Sequence, residues 1–396
     1  MNTSEPSRQP SPDPAERDAF FPSPYSLSQF TSATSNLSGA DYPDARSDGR
    51  WKVLMIAADE RYLPTANGHL FSTGNHPVET LLPMYHLDKA GFGIDVATLS
   101  GNPVKFEWWA FPREDHKIGG LYERYESRFR QPLQLDEVAA ALDAGSDYAA
   151  VFIPGGHGAL IGLPESRAVK ATLQWAMDNQ RHIITLCHGP AALLAAGVDE
   201  ADGSSLFRGY RICAFPDAMD RQTPDIGYMP GQLPWFFGER LAQQGVQIVN
   251  EGIDGSVMQD RLLLTGDSPL AGNALGKLAA RTLLDACGAG TLLPAAAGSH
   301  CINSVWQHPR QQGACSMMLH RKLFACSFGA VLAVATLVPS APANAAEEVG
   351  LQEECVPFRA GFGIHQRCTL YVVYDDGTRV ASDHYNRDEN GMMYDP

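Results

Sequence analysis

Basic residues are scarce in this chain. Thirty Lys and Arg stand against 45 Asp and Glu, a formal net charge of −15. So acidic a surface repels phosphate backbones and anionic headgroups, which argues against nonspecific nucleic-acid or membrane-surface binding. There is no basic run, no zinc-type CxxC pair and no phosphate-binding loop of the P-loop kind. The N-terminus lacks a charged-then-apolar signal, so the main body is expected to stay in the cytosol. Cysteine is also thin where the chain reads as globular: three of the eight lie before residue 290, which suits a reducing compartment. What is present is ordinary for a soluble globule, 44% hydrophobic and 19% charged. At 396 residues it is long enough for a large core with something added.

Residues 1–48 are rich in Ser, Pro and Asp and read as an irregular arm, pinned to the body by Phe20, Phe21, Tyr25 and Phe30. From residue 49 to 288 strands and helices alternate. Apolar runs predict strands at Val53–Ala57, Gly93–Leu99, Tyr148–Pro154, Ile183–Leu186, Arg211–Phe215, Val246–Val249 and Leu262–Thr265. Helical patterns cover Pro77–Ala90, Ser166–Asn179, Leu233–Gln244 and Pro269–Ala286. This alternation predicts an α/β fold with a mainly parallel sheet covered on both faces. Residues 101–132 interrupt it with Phe106, Trp108, Trp109, Phe111, Tyr122, Tyr125 and Phe129 among many charges. They read either as a lid or as a satellite hydrophobic cluster.

The chemistry concentrates at Cys187-His188-Gly189-Pro190, between the run Ile183–Leu186 and the Ala/Leu-rich stretch Ala191–Ala196. A cysteine at a strand-to-helix corner meets the unpaired N–H groups of the helix start, which favour the nucleophilic thiolate. In a doubly wound sheet the active crevice lies beyond the carboxyl ends of the strands. Cys187, Gly155-Gly156 and Asp217 all fall at such ends. Gly155 and Gly156 are either backbone donors for an oxyanion or simply a tight turn. Glu79, near the start of its helix, either caps that helix or aims its carboxylate at the Cys187 sulfur. Asp217 is expected to orient the His188 imidazole, unless His188 merely begins the helix facing solvent. Cys213 and Cys287 have no such company and read as core filler.

These residues carry a family resemblance. Asp59-Glu60-Arg61-Tyr62-Leu63-Pro64, Ser72-Thr73-Gly74-Asn75-His76-Pro77, Pro154-Gly155-Gly156-His157-Gly158-Ala159-Leu160, Leu186-Cys187-His188-Gly189-Pro190, Ala214-Phe215-Pro216-Asp217 and Thr265-Gly266-Asp267-Ser268-Pro269 resemble the HchA branch of the ThiJ/PfpI superfamily, from about Phe20 to about Gly288. The resemblance implies a flavodoxin-like core with a lid domain, usually as a homodimer. It implies glutathione-independent conversion of methylglyoxal to lactate, deglycation of modified amino groups, and holding of unfolded proteins under heat stress. No cofactor is implied for that chemistry. By position, Cys187 matches the nucleophile, His188 its adjacent histidine, Asp217 the carboxylate partner and Glu79 the proton shuttle. Gly155 and Gly156 match the oxyanion donors. A holdase without catalysis and a cysteine amidase or peptidase are the alternatives.

One departure stands out. The family's metal triad falls here on Asp88, Gly93 and Tyr125. Glycine offers no side-chain ligand, and a carboxylate with a phenol makes a poor zinc pair, so no metal is expected there. His86 lies about 200° around the helix from Asp88 and is no ready substitute.

From residue 289 the composition changes. An Ala/Gly linker (289–316) precedes a basic stretch, the apolar run 323–338 and a small-residue cleavage pattern, together a signal-like segment over 317–346. Three readings stand: a separate secreted product joined to the first, a tether with residues 347–396 outside the cytosol, or a buried or disordered hydrophobic segment. Membrane contact is expected only if 323–338 is an anchor. Residues 347–396 form an acidic module in which Cys355 and Cys368 could pair if exported.

Overall fold

The computed structural model describes residues 5–200, residues 205–289 and four strands between 348 and 394. The N-terminal arm is more ordered than its composition predicts. It holds β1 (Ser11–Pro12), β2 (Ala19–Phe21) and α1 (Pro24–Phe30). Helix α1 starts where it does because the Ser23 side chain accepts from the Ser26 N–H and Pro24 occupies the first turn. After β3 (Lys52–Ala57) and β4 (Tyr62–Pro64), β5 (Leu70–Ser72) pairs in parallel with β2. That pairing draws the arm onto the body and buries Ala19 and Phe21.

The chain continues through α2 (Pro77–Lys89), β6 (Gly93–Thr98), α3 (His116–Arg130), β7 (Leu133–Gln134) and α4 (Leu135–Ala141). Next come β8 (Tyr148–Ile153), α5 (Arg167–Asp178), β9 (His182–Leu186), β10 (Arg211–Ile212) and α6 (Asp217–Asp220). The unit ends with α7 (Phe237–Gln243), β11 (Gln247–Ile248), β12 (Val257–Asp260), β13 (Leu263–Gly266) and α8 (Gly272–Gly288). Seven strands form the central sheet in the order β12-β13-β9-β8-β3-β6-β7. Every neighbouring pair is parallel except β12 with β13.

The strand sequences explain why this sheet is sandwiched. Val53, Met55 and Ala57 of β3 pack with α2 and α8 residues such as Leu81, Leu82 and Leu283. Leu54 and Ile56 face the opposite way, toward Val169 and Leu173 of α5. An unbroken apolar run is what a strand needs when both faces are covered. The chain leaves β3 for β6 on one side and returns to β8 on the other, so the order reverses at β3. The carboxyl ends of β3, β8 and β9 therefore border a switch-point crevice.

Two local features differ from expectation. Past Cys187 the chain forms a 3-10 helix, Gly189–Gly197, rather than an α-helix. The corner is tight: a Cβ at Gly189 would meet the Thr185 hydroxyl at 2.4 Å and the Ile153 carbonyl at 2.6 Å. The slimmer 3-10 coil fits under that constraint. In the 101–132 stretch, Phe106, Tyr122, Tyr125 and Phe129 are buried in one cluster with α2 and the sheet. Phe106 and Phe129 meet edge to face at 5.1 Å. Trp109 turns the other way, toward Phe71 and Tyr228.

The C-terminal strands β14 (Glu348–Ala360), β15 (Gly363–Tyr374), β16 (Arg379–Arg387) and β17 (Met393–Tyr394) make a separate antiparallel sheet. Cys355 and Cys368 sit opposite each other in its register and are disulfide-bonded. Residues 290–347, which carry nearly all of the expected linker and the signal-like segment, lie outside the described residues. Among the described residues no helix is long and apolar enough to cross a membrane.

Candidate active site

Cys187 occupies the corner between β9 and the 3-10 helix with φ of +56°, a left-handed backbone that a side chain adopts only when its surroundings enforce it. Two backbone bonds do so. Its N–H donates to the Gly266 carbonyl at 2.9 Å, and its carbonyl accepts from the Phe215 N–H at 3.0 Å. The corner is thus stitched to the end of β13 and to the strand-like segment after β10. The sulfur is buried, with only 4% of the residue exposed.

Glu79 lies in the first turn of α2 and is fully buried. It does not cap its own helix; it faces Gly155 and Cys187. A Cβ added at Gly155 would fall 1.9 Å from the Glu79 carboxylate and 2.8 Å from the Cys187 Cβ. At Gly156, φ is +98° and a Cβ would meet the Gly74 carbonyl at 2.4 Å. Gly155 is therefore required by the packing of this acid against this thiol, and Gly156 by its left-handed backbone and the close approach of Gly74. Neither Glu79 oxygen makes a hydrogen bond of good geometry, although the Cys187 thiol and the Gly156 N–H approach closely enough to favour its charge. Burial outweighs both and holds the Glu79 carboxyl well above the carboxylate range.

Burial also pushes the Cys187 thiol up, and the neighbouring Glu79 adds to it. This corrects the expectation that the helix start alone ionises the sulfur. Two adjacent buried acids cannot both carry charge, so the pair holds at most one negative charge and shares the remaining proton. The expected helix is a 3-10 coil, and the His188 ring stands beside the sulfur, its Nδ1 3.3 Å from Sγ.

The carboxylate beside His188 is Asp220, not Asp217. His188 Nε2 lies 2.9 Å from Asp220 Oδ2 and 3.1 Å from Oδ1. Asp217 instead accepts the N–H groups of Gly238 (3.0 Å) and Glu239 (2.8 Å), satisfying the open end of α7. Both aspartates belong to the four-residue helix α6, three positions apart, and only Asp220 is fully buried. Burial works against the Asp220 charge, but His188 and His157 overcome it and keep the carboxyl well below its usual range.

Three further buried groups and the half-buried Tyr228 surround this set, none of them singled out by the sequence reading. His157 Nε2 lies 3.2 Å from Asp220 Oδ1. Glu107, 1% exposed, accepts from the Thr73 hydroxyl at 2.6 Å, while its Oε2 has no partner. Burial raises its carboxyl to about 7. His76, whose Nδ1 is likewise unpaired, is pushed down to about 3 by burial. The Tyr228 phenol is raised by burial and then by the charges of Glu107, Cys187 and Glu79. His157 stood within a quoted motif, but nothing in its spacing marks it as facing Asp220. The ligand atoms of His157, His188 and Asp220 lie within 4.8 Å of one another, near enough for a metal ion. The two imidazole–carboxylate hydrogen bonds account for that convergence, and no metal is assigned there.

The positions of the family's metal triad are occupied by other chemistry. Asp88 accepts from Tyr125 (2.9 Å) and Arg124 (2.6 Å), tying α3 to α2. His86 is held between Tyr42 (2.7 Å) and Asn273 (2.8 Å), and Gly93 opens β6.

Residues 70–205 match the model of the DJ-1/PfpI family. The chain is 60% identical over 280 residues to the protein/nucleic acid deglycase HchA of Escherichia coli O157:H7 (strain EC4115 / EHEC), covering 71% of this chain and 97% of that protein. The same identity and coverage hold for protein/nucleic acid deglycase 1 of Escherichia coli (strain K12). A cysteine on a left-handed corner, a buried glutamate against it and this identity agree: the chain belongs to the DJ-1/PfpI family, in its HchA branch.

Proposed function

We propose that this protein is a glutathione-independent glyoxalase and deglycase, converting 2-oxoaldehydes such as methylglyoxal, or their adducts on amino groups of proteins and nucleic acids, to 2-hydroxy acids. The observation that carries the reading is the fully buried Glu79 carboxyl packed against the Cys187 sulfur. The Cys187 sulfur attacks the aldehyde carbon, forming an S–C bond while the carbonyl oxygen takes the proton that Glu79 shares with it, which gives a hemithioacetal and leaves Glu79 as a carboxylate. Glu79 then removes the proton from that carbon and returns it to the adjacent one, passing through an enediol to a 2-hydroxy thioester. Water activated by His188 cleaves the S–C bond, releasing the acid and restoring the thiol. The backbone N–H groups of Gly155 and Gly156 stabilise the oxyanion. Asp220 holds the His188 ring.

Proton transfer within a substrate needs an acid that stays neutral until used, and a carboxyl raised by burial meets that need. The resemblance to deglycases of 60% identity supports the same chemistry here. We place the main domain (49–288) in the cytosol, in keeping with its free Cys187, Cys213 and Cys287, and take a homodimer from the family resemblance. Of the seven aromatics of 101–132, Phe106, Tyr122, Tyr125 and Phe129 are buried and Trp108, Trp109 and Phe111 are half-buried, so catalysis rather than holding is the reading favoured here. The test is lactate formation from methylglyoxal without glutathione. Wild type should turn over, and Cys187→Ala should lose essentially all activity while keeping its melting temperature. Normal turnover by Cys187→Ala would end this reading.

A further inference from the structure

His157 has no part in the mechanism above, yet it is 3% exposed and lies against its centre. Its ring lies 3.9 Å from the His188 ring, and both Nε2 atoms reach the Asp220 carboxylate. Phe71 packs edge-on against it at 5.5 Å and Tyr228 at 5.8 Å, so the ring has one place to sit. The titratable groups around it are His76 at the start of α2, Glu107 from the 101–132 stretch, His188 from the β9 corner, Asp220 from α6, and Tyr228 beyond it. Burial, then the neighbouring His188, keeps His157 below its ordinary value, so it acts as a neutral ring with one N–H.

Asp220, ionised, can only accept hydrogen bonds. Each ring that faces it must therefore carry its proton on Nε2. For His188 in its neutral form this leaves Nδ1 bare, and Nδ1 is the atom 3.3 Å from the Cys187 sulfur. Without His157, Asp220 Oδ1 would lose one donor in a site walled by Phe71 and Tyr228, and the carboxylate would be free to turn. We propose that His157 is a positioning residue: by donating its own N–H to Asp220, it fixes the carboxylate that turns a bare His188 nitrogen toward the sulfur. The inference rests on the Cys187 reading proposed above.

Two variants of the full chain separate this role from packing. His157→Phe keeps an aromatic ring against Phe71 and Tyr228 but removes the donor; His157→Gln keeps a donor and loses the ring. A hydrogen bond to a charged group corresponds to roughly a tenfold effect. His157→Phe should therefore lower kcat for methylglyoxal about tenfold with KM little changed. Alkylation of Cys187 by iodoacetamide at neutral pH should slow in parallel, and His157→Gln should recover most of each effect. Should His157→Phe not fold, His157→Leu is compared with His157→Gln in the same way. Equal losses in the donor-free and Gln variants, or no loss in the donor-free one, would overturn the inference. Turnover surviving in Cys187→Ala would instead overturn the reading beneath it.

Discussion

Two polar clusters lie within one molecule and are built in opposite ways. Around Asp88 hydrogen-bond demand is met locally: its two oxygens take Tyr125 and Arg124, and the nearby His86 ring is bonded at both nitrogens. Around Cys187 it is left open: both Glu79 oxygens, Glu107 Oε2 and His76 Nδ1 are buried without partners. An unpaired buried polar atom costs about 1–3 kcal/mol, so a cluster of them persists where substrate supplies the missing contacts. The satisfied cluster is a brace; the unsatisfied one is poised for chemistry.

That contrast can be broken in graded ways. Glu79→Gln removes the acid but keeps the side-chain shape, and should lower methylglyoxal turnover about a thousandfold in steady-state assays. Asp220→Asn should cost about a hundredfold in kcat, since His188 loses its charged, acceptor-only partner. Asp217→Asn should stay within a few-fold of wild type in the same assay; a larger loss for Asp217 than for Asp220 would reverse their assignment. Glu107→Gln should stabilise the fold by about 2 kcal/mol at pH 8 and by little near pH 4.5. Its sign follows from a carboxyl raised to about 7: the stability linked to its protonation is full below the unfolded value and lost as pH rises through the folded one. Thermal melts at the two pH values read the difference. Tyr125→Phe should cost about 1 kcal/mol in chemical denaturation and leave kcat untouched, as expected of a brace.

Much of this contrast was legible in the sequence. Unbroken runs such as Val53–Ala57 and Ile183–Leu186 foretold a sheet covered on both faces, and the break from strand to helix at Cys187-His188-Gly189-Pro190 foretold a tight corner. What was not legible is which way short elements face. Asp217 and Asp220 share a single helical turn, and no local pattern tells which carboxylate meets His188; Ala214-Phe215-Pro216-Asp217 drew attention to the wrong one. The arm hid its strands because β2 depends on β5, some fifty residues away, for its hydrogen bonds. The state of Cys187 was misjudged because the helix start is local, whereas burial and Glu79 arrive from tertiary packing.

The central claim is that the Glu79 carboxyl moves the proton after Cys187 has captured the aldehyde. Intact-protein mass spectrometry of Glu79→Gln mixed with methylglyoxal tests it directly. The predicted result is a single adduct that localises to Cys187, builds up, and is not released as lactate. Lactate released at the wild-type rate, or no adduct on Cys187, would contradict it.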